Sequence, residues 1–133
     1  QLMRIRKAFD QFDTVYVGVD QMYRSEVSSY RFYTVRDVSR LEKWSIFFTV
    51  GKLLVLLFWL KPHIIITTGS APGMLALRIG KLLGKKTIWI DSIANIEEMS
   101  FSGKKAVRFA DLCLTQWAHL ERPQGPFYLG SVL

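Results

Sequence analysis

The sequence predicts an α/β domain with a doubly wound parallel sheet and helices on both of its faces, and three observations carry that prediction. Residues 64–66 are three isoleucines in a row, an apolar run without alternation that is typical of a strand covered on both faces. A glycine-containing turn at residues 69–73 separates this run from an amphipathic stretch that ends at Gly84. A second buried strand follows at residues 87–91, and this order makes a right-handed parallel crossover.

The residues before this crossover predict a helix followed by two strands. Residues 2–12 place apolar side chains on one helical face. Residues 14–19 and 30–35 predict strands, with a polar loop over residues 20–29 between them. Because the chain opens with a helix that feeds a strand, we expect an earlier strand and loop to precede residue 1.

Residues 44–60 are apolar at almost every position, and three arrangements are open for them. A membrane-spanning helix requires about 20 apolar residues, whereas this run is shorter and contains Lys52. A wholly buried core helix is the second arrangement. The third is a helix packed on the sheet that also offers aromatic side chains to a bilayer surface, beside cations for the lipid phosphates. The residues in this third arrangement are Trp44, Phe47, Phe48 and Phe58, with the cations Arg36, Arg40 and Lys43 spaced for one face of a helix start.

The rest of the chain predicts further elements of the same kind. The helix after the glycine turn has an apolar side that consists of Met74, Leu75, Ile79, Leu82 and Leu83. Residues 92–103 predict a loop, a short basic helix starts at Lys104, and residues 112–115 predict a strand. Residues 116–120 predict a loop and residues 127–132 a last short strand.

Composition limits the classes of function. The 133 residues fit one domain, and 18 Lys and Arg against 11 Asp and Glu give a net charge of +7. An anionic partner is expected: nucleic acid, anionic lipid or a phosphorylated substrate. Half of the residues are hydrophobic and 14% are aromatic, which predicts apolar surface facing a membrane or a partner. Cys113 is the single cysteine, and the sequence contains no metal-ligand cluster, so no metal or cofactor is expected.

Three loops follow predicted parallel strands and should therefore meet at one edge of the sheet, where open α/β sheets bind ligands. They begin at residues 69–73, at residues 91–92 and at residues 116–117. Backbone N–H groups at the start of the helix after the first turn are suited to a phosphate. The turn is Gly69, Ser70, Ala71, Pro72 and Gly73, which is neither a P-loop nor a dinucleotide-binding fingerprint, so an ordinary strand-to-helix turn remains the alternative.

Other polar residues near this edge have two or more possible roles. Asp91 is a candidate base, a sugar-hydroxyl acceptor or a cap of the next turn. Ser100, Ser102 and Gly103 are suited to phosphate binding or to a simple N-cap. His119 lies in a loop at the same edge, and no nucleophile is paired with it, so covalent catalysis has no support.

Taken together, these stretches resemble a known family. Residues 65–73, 87–92, 99–103 and 110–117 occur in the order and spacing of the membrane-associated, acceptor-side subunit of two-component UDP-N-acetylglucosamine transferases. That family includes the dolichol-pathway subunit and its bacterial exopolysaccharide counterparts. The resemblance implies the N-terminal half of a GT-B glycosyltransferase, a Rossmann-like domain similar to the lipid II-forming enzyme of peptidoglycan synthesis.

The resemblance also implies partners and site residues. A separate catalytic subunit binds the UDP-sugar, and this chain binds a polyprenyl-pyrophosphate-linked acceptor at the cytoplasmic face of the membrane, as a peripheral or monotopic protein. The acceptor and pyrophosphate are assigned to the stretches Gly69–Gly73, Asp91–Ser92 and Ser100–Gly103. The cleft and partner residues are Gln116, Trp117, His119 and Tyr128.

Two departures from the family pattern matter. The first glycine loop, whose histidine is the best candidate base, would precede residue 1, which leaves Asp91 as the candidate within these residues. Many members have glutamate at this position, so the shorter aspartate does not match the expected side chain.

Two competing functions come from other classes. A non-catalytic basic α/β module that binds anionic membrane or nucleic acid is the main alternative. Nucleic acid is disfavoured, because residues 44–60 are too apolar for a solvated groove and the aromatic residues do not interleave with the basic ones. A dinucleotide-binding oxidoreductase lacks the fingerprint glycines and a suitably placed ribose acid.

Overall fold

The structure, a computed structural model, describes residues 1–38 and 43–132. In this part of the chain, strands and helices alternate as the sequence predicts. The strands are β1 (Val15–Gly18), β2 (Arg31–Thr34), β3 (Ile64–Thr67), β4 (Lys86–Ile90), β5 (Leu112–Thr115) and β6 (Phe127–Tyr128). The helices are α1 (Leu2–Ile5), α2 (Lys43–Leu60), α3 (Ala71–Leu82) and α4 (Phe101–Ala106), with 3₁₀ helices at Arg6–Phe9, Gln21–Val27 and Ala118–Leu120.

All paired strands are parallel. β1 pairs with β2, and β3, β4, β5 and β6 form a second sheet in that order, in which Ile65 lies opposite Thr87 and Trp89 opposite Cys113. Parallel strands need crossover connections, and α2 and α3 supply them around β3. The predicted α/β class with parallel strands is therefore confirmed. Because the strands are parallel, α2 and α3 both start at the edge where strands end, which we name the carboxyl edge.

Two apolar clusters hold the helices on the sheets. In the first, Leu53, Leu56 and Leu57 of α2 pack with Val35 and with Ile79 of α3. In the second, α3, β4, β5 and α4 meet around the fully buried side chains of Leu77 and Trp89. The first cluster also contains partly buried Tyr33 and Ile65, so α2 covers residues from both sheets.

Helix α2 is only partly buried. By length and composition it is the one helix within residues 1–38 and 43–132 that is long and apolar enough to cross a membrane, and 28% of its residues are buried. Its inner face contains Ser45, Thr49 and the three packed leucines. It is therefore not the wholly buried core helix that was one of the three arrangements.

Several predicted boundaries are wrong for local reasons. Helix α3 starts at Ala71, inside the predicted turn, because Ser70 caps it and Pro72 suits a first helical turn. Helix α4 starts at Phe101 rather than Lys104, because Ser100 is its cap. The predicted loop at residues 20–29 contains a 3₁₀ helix capped by the Asp20 side chain.

Three further expectations are corrected. Leu82 is 82% exposed, whereas Leu77 is fully buried, because the buried arc of α3 faces α2 on one side and the sheet on the other. Strand β6 spans two residues instead of six, and Gly130, at φ 122°, leaves the extended conformation. Arg36 lies in the segment after β2 and not in a helix, and Arg40 lies outside the described residues.

Candidate functional site

The glycine turn connects β3 to α3 at the carboxyl edge and is held by its own side chains. The Thr67 hydroxyl, at the end of β3, donates to the Gly69 carbonyl (3.0 Å) and accepts from the Gly69 N–H (3.3 Å). The Ser70 hydroxyl accepts from the Gly73 N–H at 3.3 Å. The N–H groups of Ser70 and Ala71 have no hydrogen-bond partner within the described residues, so these two donors are free at the start of a helix.

The backbone of this turn is strained at a residue that is not glycine. Ser70 has φ 71° and ψ 160°, a combination that glycine adopts readily and other residues do not. Gly69 before it has φ 131°. Such strain costs about 1–3 kcal/mol and clusters at ligand-binding sites. A side chain at residue 73 is also excluded, because a Cβ there would lie 2.1 Å from the Thr67 hydroxyl oxygen.

Asp91 directly follows β4 and is buried, with 1% of its surface exposed. Four donors reach its carboxylate. Oδ1 accepts from the Trp89 indole (3.1 Å) and the Ser100 hydroxyl (2.6 Å), and Oδ2 accepts from the Asn95 side-chain amide (3.2 Å) and the Ser100 N–H (2.9 Å). This geometry favours the cap among the three roles open to Asp91, since a base needs an accessible oxygen.

The serine and glycine residues after Asp91 divide into two groups. The Ser100 hydroxyl is fully engaged, because it donates to Asp91 and accepts from the buried Gly103 N–H at 2.9 Å. Ser92 accepts from the Ala94 N–H at 3.2 Å and so shapes the loop that follows β4. The half-buried Ser102 has no hydrogen-bond partner among the described residues, and its hydroxyl is the one that this stretch leaves available.

The residues after β5 form hydrogen bonds to the loop that follows β4. The Trp117 indole donates to the Ile93 carbonyl at 3.1 Å, and His119 Nε2 donates to the Ile96 carbonyl at 2.6 Å. The Gln1 side chain adds two bonds, donating to the Asp91 carbonyl and accepting from the Ile93 N–H. Residues 92–99 are thus tied at both ends and along their length.

Gln116 and Tyr128 hold the end of the chain rather than the loop after β4. Gln116 is buried, and its side-chain oxygen accepts from the Val132 N–H at 3.0 Å. Arg4 donates to the Val132 carbonyl at 2.8 Å. The Tyr128 N–H donates to the Glu121 carboxylate at 3.1 Å. These contacts bring the first helix and the last residues together at the carboxyl edge.

An exposed apolar face runs along α2, which starts at the carboxyl edge. Its members are 66% to 77% exposed, and we name them the exposed stripe: Trp44, Phe47, Phe48, Val55, Phe58 and Trp59. Lys43, Lys52 and Lys61 are also exposed and lie at both ends and beside the middle of this helix. Sequence analysis missed Val55 and Trp59, although their spacing of 7, 11 and 15 residues from Trp44 and Phe48 gives the same helical face.

The best-formed concavities of the described residues lie away from the carboxyl edge. The two best-formed concavities within the described ranges, of about 440 and 520 Å³, lie between the first helical segment and the 3₁₀ helix Gln21–Val27. Both are lined by Arg6, Lys7 and Glu26, and none of the predicted site residues lines them. Within the described residues, no group of three or more metal-binding side chains is found.

The structure brings most predicted site residues together. The glycine turn lies beside the Asp91 stretch, because Met74, in the first turn of α3, packs on the cluster that contains Trp89 and Met99. The stretch after β5 contacts the loop after β4 through Trp117 and His119. Sequence analysis missed Asn95, Trp89 and Gln1, which engage Asp91 or its backbone, since nothing in their spacing marks them as partners.

Comparison with known proteins finds one family profile that matches most of this sequence and one solved structure with a similar fold. A family profile described as "Oligosaccharide biosynthesis protein Alg14 like" matches residues 8–132. No curated protein matches the sequence significantly. Among solved structures, MurG of Acinetobacter baumannii superposes with a TM-score of 0.75 over 97% of this chain and 40% of the MurG chain, at 10% sequence identity. This likeness is one of fold, that of the N-terminal half of a GT-B glycosyltransferase, and the chain spans well under half of the MurG length.

Proposed function

The chain belongs to the Alg14-like family of oligosaccharide biosynthesis proteins, and on that premise we propose that it is the acceptor-binding, membrane-recruiting subunit of a two-component glycosyltransferase. The donor is UDP-N-acetylglucosamine or a related UDP-sugar, which a separate catalytic subunit binds. The acceptor is a polyprenyl-pyrophosphate-linked sugar. The complex works at the cytoplasmic face of the membrane, and this chain alone is inactive.

One observation carries the proposal: a turn with free N–H groups and the exposed stripe start at the same edge of the sheet. The glycine turn offers the free N–H groups of Ser70 and Ala71 at the N-terminus of α3, where the helix dipole also favours negative charge. Helix α2 packs directly on α3 through Leu53, Leu56 and Ile79. A pyrophosphate bound at the turn therefore has a lipid-compatible surface beside it.

The exposed stripe supports an interfacial helix rather than a spanning one. The opposite face of α2 packs on β-strands and on α3, so lipid cannot surround the helix. The stripe extends for about 22 Å at 1.5 Å per residue, with a tryptophan at each end, as expected for a helix lying in the headgroup region. Lys43, Lys52 and Lys61 are placed to meet anionic headgroups along that length.

The place of the concavities supports a second subunit. Ligand sites for sugars and nucleotides are normally concave, whereas the best-formed concavities of the described residues are not at the carboxyl edge. The mostly exposed Leu129 and the half-buried Tyr128 lie near the end of the chain, close to the carboxyl edge, where a partner would complete the cleft. The transfer needs a general base on the acceptor hydroxyl and stabilisation of the leaving diphosphate, and we place that base outside the described residues.

A transfer assay tests the proposal. The full-length protein, UDP-[³H]N-acetylglucosamine and a membrane lipid extract are incubated with and without a co-expressed UDP-sugar-binding subunit. We expect label in the lipid fraction only when both subunits are present. Label with this chain alone would refute the two-component arrangement.

The same preparation separates the main alternative, a non-catalytic basic module. Flotation with anionic vesicles, with and without competing RNA, measures binding in the absence of chemistry. No transfer under any pairing, together with retained vesicle binding, would leave a membrane-docking module. Competition by RNA would instead favour a nucleic-acid-binding module.

A further inference from the structure

We propose that Asp91 is a positioning residue: its buried carboxylate orders residues 92–103 so that the acceptor finds a preformed wall beside the glycine turn. The role toward the acceptor rests on the proposed function, whereas the ordering of residues 92–103 rests on the hydrogen bonds of Asp91. Three of the four hydrogen bonds to Asp91 come from this segment, one from Asn95 near its start and two from Ser100 near its end. A carboxylate that accepts four bonds and is almost fully buried is a structural anchor.

The effect of Asp91 extends through Ser100 into α4. The Ser100 hydroxyl, which donates to Asp91, also accepts a hydrogen bond from the Gly103 N–H in the first turn of α4. A Cβ at residue 103 would lie 2.7 Å from Asp91 Oδ1. The start of α4 is therefore fitted directly against the carboxylate. Ser102 precedes Gly103 in the sequence, and its hydroxyl has no hydrogen-bond partner among the described residues.

An amide cannot replace this carboxylate without loss. The Trp89 indole and the Ser100 backbone N–H are donors only, and they reach different oxygens of Asp91. The amide nitrogen of an asparagine would face one of these donors whichever way it is turned. Asp91→Asn should therefore loosen residues 92–103 while it keeps the size of the side chain.

Asp111 offers a matched control at the opposite edge of the sheet. Its carboxylate also holds two elements together, because Oδ2 accepts from the Thr87 N–H at 2.8 Å and from the Thr87 hydroxyl at 3.1 Å. Oδ1 accepts from Lys81 at 2.5 Å. Asp111→Asn removes a structural carboxylate of the same kind, yet it lies before β5, at the edge where strands start.

The experiment measures kcat and the acceptor KM over a range of pH for the two-subunit complex. It compares wild type, Asp91→Asn, Ser100→Ala and Asp111→Asn. For Asp91→Asn and Ser100→Ala we expect the acceptor KM to rise about tenfold or more, with the acidic limb of the pH profile of kcat retained. Asp111→Asn should leave KM unchanged.

A fall in kcat of a hundredfold or more for Asp91→Asn, with the acidic limb lost and KM unchanged, would overturn the proposal and identify a base. Equal KM values for all four proteins would overturn it as well. Hydrogen exchange of the peptide that covers residues 92–103 gives a readout without activity: uptake should increase in Asp91→Asn and Ser100→Ala but not in Asp111→Asn, and unchanged uptake would also refute the ordering role. A wild-type complex that transfers nothing would refute the proposed function, and the acceptor role of Asp91 with it.

Discussion

Replacing two phenylalanines of the exposed stripe should weaken membrane binding about a hundredfold. Phe47 and Phe58 are 70% and 66% exposed, so their removal leaves the core intact. Full burial of a phenylalanine is worth about 1.5–3 kcal/mol, and two thirds of that for each gives about 3 kcal/mol for Phe47→Ser with Phe58→Ser. At 1.4 kcal/mol per tenfold, this is about two orders of magnitude in the partition constant.

Flotation with vesicles of defined anionic lipid content gives that constant. Phe12 supplies a matched control, because it is 61% exposed and lies outside α2, so Phe12→Ser should bind vesicles as wild type does. Wild type and the double variant should both bind more tightly at low ionic strength, where the lysines of α2 contribute equally to each, and the ratio of their partition constants should stay the same. Equal binding by wild type and the double variant, or an equal loss in Phe12→Ser, would refute the interfacial role of the stripe.

Four further predictions concern single residues. Ser70→Gly should raise the free energy of unfolding by about 1 kcal/mol in urea titration, because it relieves strain of about 1–3 kcal/mol and loses a cap worth a few tenths; a less stable variant would contradict the strained backbone. Gly73→Ala should lower the free energy of unfolding by about 1–3 kcal/mol through overpacking against Thr67, and an unchanged midpoint would count against this contact. Hydrogen bonds from Lys81 and then from the Thr87 N–H lower the pKa of Asp111 from 3.8 to about 2. The stabilisation by this carboxylate is therefore complete above pH 3.8 and is lost as the pH falls towards about 2, so the free energy of unfolding of Asp111→Asn should fall less steeply over this range in acid unfolding. Burial, with the Asp91 charge, raises the pKa of the Cys113 thiol to about 12, so a thiol reagent at pH 8 should react only after unfolding in guanidinium chloride.

The strands of the parallel sheet could be predicted because their signals are local. Residues 112–115 form a strand with the predicted limits, and the isoleucine run is β3. Helix starts were harder, since α3 and α4 begin one residue after a serine cap, and serine is favoured in turns as well as at N-caps. Leu82, which was predicted on the apolar side of α3 but is exposed, shows a second limit. Helix α3 packs on both α2 and the sheet, so its buried residues do not form the single apolar stripe that the sequence pattern assumes.

The carboxyl edge could be located from the sequence, but the roles of its residues could not. The order of loops after parallel strands predicted that residues 69–73, 91–92 and 116–117 would meet. The role of Asp91 was open between base, acceptor and cap, because burial and hydrogen bonds depend on Asn95 and Trp89, whose side-chain directions only the fold defines. The exposed side of α2 was predicted in part, at Trp44, Phe47 and Phe48 and at Phe58. The choice among the three arrangements of this helix stayed open, because a wholly apolar helix has little periodicity from which to read its two faces.

The close fit between Asp91 and Gly103 has a consequence for how such sequences diverge. With only 2.7 Å between the aspartate oxygen and a Cβ at residue 103, that residue has no space for a side chain while Asp91 stays as it is, and Asp91 itself is almost fully buried. A glutamate at residue 91 would need a shifted α4 start or a different cap at residue 100. Substitutions at residues 91, 100 and 103 should therefore occur together in evolution. Exchanging one of these residues between homologues should lower the growth of a host that depends on the protein, and exchanging all three should restore it.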